Sequence, residues 1–144
     1  IKKQTGIQSD SLFKKLDLAF LLLAFDDCRH LCELLAPMQD SLPLNMQFRF
    51  HLAHGKTFLM NYEFTQAGTC INFALKLAEE LGDYEALAEA HYWFGLASFL
   101  KGDLDDTRNH GFICVQTGKD LHNKVIEMRG RLLSLPTYPI FPLL

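Results

Sequence analysis

Cys28, His30 and Cys32 form the densest cluster of chemically capable side chains in the sequence. Two thiols four residues apart share one face of a helix and can give two ligands to a tetrahedral zinc. His30, two residues from each, falls on nearly the opposite side, and no CxxC or HxxxH elsewhere completes a four-ligand set. The spacing therefore predicts buried structural thiols and no metal site. A nucleophilic cysteine needs an electropositive, partly exposed setting and a positioned base. Cys70 and Cys114 stand instead among Ile71, Phe73, Phe112, Ile113 and Val115, which marks both as packing residues.

His51 and His54 share a helix face, and His91 follows His51 at a distance of 40 residues. A stacked histidine pair across repeats is geometrically open. Imidazoles that pack as aromatic rings with one nitrogen hydrogen-bonded are the reading we favour over a pH sensor or a metal ligand. The carboxylate groups Asp26-Asp27, Glu79-Glu80 and Asp103-Asp105-Asp106 sit at helix starts or beside turns, where capping and the helix dipole account for them. No GxxxxGK[ST], GxGxxG or GxSxG run is present, so neither a phosphate cradle nor a nucleophile elbow has a candidate. No catalytic residue, cofactor or enzymatic activity is expected.

Among 144 residues, 14 Lys and Arg face 17 Asp and Glu, a net charge of -3 that gives no broad field for nucleic acid or an anionic membrane. Lys119, Lys124, Arg129 and Arg131 lack aromatic interleaving and read as a solvated face. With 49% hydrophobic residues and 12 Phe the chain is too apolar for disorder, yet its early uncharged run, residues 18–25, is far shorter than the ~20 residues that cross a bilayer. Four scattered cysteines and no Asn-x-Ser/Thr sequon suit a reducing, intracellular setting, cytoplasmic or nuclear. The start at Ile1 reads as that of a processed product or an excerpt.

Apolar residues recur at helical spacing, with breaks at Pro37, Pro43, Gly82-Asp83, Gly102-Asp103 and Gly118. The pattern predicts an all-α chain with helices over residues 10–24, 26–36, 45–61, 65–81, 84–101, 105–117 and 120–135. Thr65 is the expected cap of the fourth helix, Gly82 its end, and residues 38–44 a connector. Paired, these give hairpins over 10–36, 45–81 and 84–117 and a final helix over 120–135. Gly55 and Gly95 occupy equivalent points 40 residues apart, as do Ala67 and Thr107, and Ala74 and Cys114. Small residues recur together where antiparallel helices of a hairpin must approach closely, and the next hairpin must nest in the same way.

The run Ala88-Glu89-Ala90-His91-Tyr92-Trp93-Phe94-Gly95-Leu96-Ala97, followed by Gly102-Asp103, resembles the first helix and turn of the tetratricopeptide repeat. Residues 48–83 follow the same pattern through Gly55, Phe58, Ala67, Ile71 and Ala74, and residues 16–36 echo it with Cys28 at a small position. His51 and His91 stand where the family commonly has Trp, Tyr62 replaces its turn glycine, and Thr107 and Gly111 replace its alanine and aromatic. A spacing of 40, against the family's ~34, resembles its longer-repeat members.

The resemblance implies a right-handed superhelical stack of about three hairpins plus a final helix, over residues 1–135. It also implies a concave groove lined by the first helix of each repeat. The groove positions would be Arg49, Leu52, Lys56, Leu59 and Met60, and then Glu89, Tyr92, Leu96, Phe99 and Leu100. So apolar a lining disfavours a clamp for an acidic C-terminal tail and suits an amphipathic helix or apolar extended segment, with Arg49, Lys56 and Glu89 setting its orientation. The expected function is a scaffold or adaptor module that binds a protein or peptide partner. The alternative is a regulatory sensor whose groove takes a small peptide or metabolite beside Tyr92, Trp93 and Phe99. The apolar, proline-bearing segment 136–144 is expected to pack in the groove or on the exposed C-terminal end, through which self-association is a further expectation.

Overall fold

A computed structural model describes residues 2–135, and the 136–144 segment with its expected packing lies outside them. Among the described residues there are seven α-helices, one 3-10 helix and no strand. They are α1 (Lys2–Leu21), α2 (Phe25–Leu35), a 3-10 helix (Ala36–Ser41), α3 (Leu44–Met60), α4 (Phe64–Leu81), α5 (Tyr84–Lys101), α6 (Leu104–Asp120) and α7 (Lys124–Ser134). The chain divides into two compact units, Ile1–Leu77 and Ala78–Leu144, with the division inside α4.

One kind of turn ends five of these helices. A residue at Leu23, Tyr62, Gly82, Gly102 and His122 takes positive φ, between 53° and 86°. The next amide then reaches back five residues to a carbonyl: Ala24 to Ala19, Glu63 to Phe58, Asp83 to Ala78, Asp103 to Ser98 and Asn123 to Gly118, at 2.8–3.2 Å. A second bond inside each loop runs from the positive-φ residue to the carbonyl three before it. Together they satisfy carbonyls that a helix end would leave without partners. The turn residues 62, 82, 102 and 122 are spaced by 20, half the repeat length.

Asp83, Asp103 and Asn123 follow these turns and cap α5, α6 and α7, accepting from Ala86 N, Asp106 N, and Val125 N with Ile126 N, respectively. The connection between α2 and α3 is different. Pro37 enters a 3-10 helix where a connector was expected, and Pro43 precedes the first residue of α3.

Several boundaries differ from those read off the sequence. α1 begins at Lys2, not residue 10, because its polar first turns carry no apolar periodicity to reveal them. Thr65 lies inside α4, whose first turn closes through the bond from Ala67 N to Glu63 O, so it is not a cap. Gly118 does not break α6, and α7 starts at Lys124 behind Asn123, not at Asp120.

In the first unit, Phe13, Leu16, Cys28, Cys32, Leu35 and Phe50 form a core between α1, α2 and α3, each at most 2% exposed. α3 meets α4 at Gly55, where an added Cβ would lie 2.7 Å from Ile71 Cγ1 and 3.3 Å from Cys70 Cβ. In the second unit α5, α6 and α7 pack on one another. There an added Cβ at Gly95 would lie 2.9 Å from His110 Cβ. Each glycine thus faces the residue fifteen positions ahead, and the contact recurs at the 40-residue offset. α6 and α7 approach most closely at Gly118, where a Cβ would lie 2.7 Å from Glu127 Cα, and at Gly130, where it would lie 2.5 Å from Val115 N.

Gly118→Ala therefore drives a methyl into backbone and should lower stability by about 1–3 kcal/mol. Gly68→Ala on α4, with nothing within 4 Å of the new methyl, should raise it by up to ~1 kcal/mol through helix propensity. Urea unfolding of the two variants checks this, and equal effects would contradict the close α6–α7 approach.

Candidate functional site

The cysteines are structural. Cys28 and Cys32 are fully buried on the inner face of α2, while His30 is exposed. Burial raises the thiol pKa of Cys28, and pushes those of Cys32 and Cys114 up to about 12. Burial also raises that of the half-buried Cys70. Raised thiol pKa values disfavour the thiolate at neutral pH. Cys114 Sγ donates to the Ala88 carbonyl at 3.4 Å and so ties α6 to α5. Among the described residues no group of three or more His, Cys, Asp or Glu side chains is placed to hold a metal ion.

The histidines separate into two arrangements. His51 stacks on Phe73 with centroids 5.1 Å apart and planes 18° from parallel, and His54 packs between Phe50 and Phe58. These two are aromatic packing groups, and burial is the first cause that lowers both their pKa values. His91 turns to His110, with Nδ1 to Nδ1 at 2.9 Å, so its ring is engaged within its own hairpin. Asp106 Oδ2 lies 3.6 Å from His110 Nε2 and also accepts a short hydrogen bond from the Ser98 hydroxyl. Asp106 favours the proton on His110 Nε2, which assigns His91 Nδ1–H as the donor to His110 Nδ1.

Ser98, Asp106, His110 and His91 thus form a continuous polar chain between α5 and α6. Its order is not that of a hydrolytic triad. Ser98 is bonded to the carboxylate and not to an imidazole, and it is only 4% exposed. The chain clamps two helices. Asp106 and His110 were not singled out in the sequence, where Asp106 read only as a first-turn acid. The forty-residue alignment does carry the signal, because it puts His110 at the place of Cys70, against the glycine of the preceding helix.

The ten groove positions fall in two sets, one in each unit. On α3, Leu52 and Leu59 are each 4% exposed and leave a partner almost no surface. Arg49 pairs with Asp17 at 2.8 Å and covers the Phe13 ring, Lys56 lies over Phe20, and Met60 is half-buried. On α5, Phe99 and Leu100 are open, whereas Glu89, Tyr92 and Leu96 are half-buried, with the Arg129 guanidinium 5.3 Å from the Tyr92 ring centroid. A separate depression of about 270 Å3 opens between α1 and α2, lined by Lys15, Leu18, Leu22, Asp27 and Leu31 among others. No helix among the described residues is long and apolar enough to cross a membrane.

No protein-family model, curated protein or solved structure matches the chain.

Burial holds His91 well down, at about 4, with the neighbouring His110 adding to the effect, and burial also lowers His110 against the pull of Asp106. Unfolded imidazoles take up protons near their ordinary pKa of about 6.5, so between there and pH 4 the unfolded chain binds more protons. Stability should be full above pH 6.5 and fall by on the order of 2 kcal/mol as the medium is acidified to pH 4. Urea midpoints across that range check this. His91→Phe should flatten the profile, and a wild-type midpoint independent of pH would contradict the neutral pair.

Proposed function

We propose that the chain is a helical-repeat interaction module of the kind the tetratricopeptide resemblance implies, binding an apolar helix or extended peptide of a protein partner, without catalysis. The recurrence of the glycine contact, Gly55 on Cys70 and Gly95 on His110, carries this reading. A repeated close approach is what stacked hairpins require, and the 20-residue spacing of the turns agrees with it. The interior polar groups support it as well. Buried thiols and a helix-clamping histidine pair are structural uses of residues that an enzyme would leave accessible.

The side chains that remain open on the expected binding face are Phe99 and Leu100, 38% and 43% exposed. Apolar exposure beside Tyr92 and Leu96 favours a partner that inserts aliphatic or aromatic side chains. A panel of fluorescent amphipathic-helical and apolar extended peptides, read by anisotropy, tests the proposal. At least one class should bind, and Phe99→Glu with Leu100→Glu should weaken it tenfold or more, ~1.4 kcal/mol, at unchanged thermal stability. Absence of binding in every class, or affinity indifferent to the double substitution, would overturn it.

A further inference from the structure

The turn between α1 and α2 exposes an apolar surface that the expected binding face does not include. Leu18, Leu21, Leu22 and Leu23 are 54%, 78%, 67% and 67% exposed, and Phe25 is 42% exposed. Together they present the equivalent of about three fully solvated large side chains, or roughly 500 Å2, which is at the size where a patch on a monomer marks an interaction site. Leu23 is costly twice over, because it holds φ at 58° and shows its side chain to water. At the other four turns of this kind the same position carries Gly, Tyr or His.

The charges beside the patch indicate what covers it. Lys15 on α1 and Asp27 on α2 line the same depression as Leu18 and Leu22. Neither has an ion-pair partner among the described residues. A partner of one sign would leave one of them facing a like charge. A second copy of this chain, related by a two-fold axis through the leucines, would set Lys15 of each chain against Asp27 of the other. Such a pairing is complementary in charge. Two such apolar patches would bury roughly 1,000 Å2 in total, the lower bound for a specific interface.

We propose that the α1–α2 turn is a homodimerisation surface in which Leu22 and Leu23 enter the partner's depression and two reciprocal Lys15–Asp27 pairs fix the register. It is separate from the peptide-binding reading, and either can fail without the other. Sedimentation equilibrium of the full chain at tens of micromolar should show a dimer. Leu22→Glu with Leu23→Glu should give a monomer with an unchanged helical circular dichroism spectrum. Lys15→Asp alone and Asp27→Lys alone should each weaken the dimer tenfold or more, because each sets like charges together at both ends of the axis. The two combined should restore it to near wild-type strength. A wild-type monomer at ~100 micromolar, a dimer that survives the leucine substitutions, or a charge-swapped double variant no better than the single ones would each overturn the proposal.

Discussion

A pair of backbone hydrogen bonds, closed around one residue of left-handed backbone, stops α1, α3, α4, α5 and α6 and turns the chain back on itself. The helices have no sheet to organise them, so the length between turns decides which residues of successive helices meet. With turns at 62, 82, 102 and 122, every helix from α4 to α6 is given the same allotment. Pairs placed alike about the turns at 62 and 102 then recur at a constant spacing of 40 residues. That constancy is why Gly55 meets Cys70 and Gly95 meets His110. The left-handed residue is a glycine at two of these turns and bears a side chain at Leu23, Tyr62 and His122. At those three the backbone cost is carried by the reversal and its two hydrogen bonds.

The same offset places polar groups where they must be satisfied internally. His110 occupies a seam that elsewhere holds a thiol, and it is accommodated because His91 bonds its Nδ1 and Asp106, itself held by Ser98, lies 3.6 Å from its Nε2. Burial lowers the pKa of both half-buried imidazoles, so the clamp that joins α5 to α6 loses stability on acidification. Where α6 meets α7 the approach is set by missing side chains, with Gly118 and Gly130 each lying against backbone. A polar clamp to α5 and a glycine seam to α7 thus hold α6 in place.

The all-α class, the bounds of α5 and the turn at Gly102 were legible because periodicity, an aspartate cap and a C-terminal glycine agree there. Elsewhere one signal stood in for another. Gly118 resembles a breaker in sequence, but its lack of a side chain serves packing, which periodicity does not report. The true turn at His122 is hidden by an imidazole in a position usually given to glycine, although Asn123, twenty residues after Asp103, marks it. Leu52 and Leu59 were assigned to a groove from their place on the first helix of a repeat, and burial depends on neighbours that a helical wheel does not contain. The leucines of the α1–α2 turn read only as part of an uncharged run and of a helix over residues 10–24. Only the early end of α1 at Leu21 leaves them outside the core.

Amide hydrogen exchange on the full chain, resolved by NMR, bears most directly on the repeated reversal. The amides of Ala24, Glu63, Asp83, Asp103 and Asn123, each just past a helix end, should exchange slowly, because each donates back to a helix carbonyl. Exchange of these amides at the rate of an unstructured chain would show that the turns do not close, and the equal spacing of helices would then lose its physical cause.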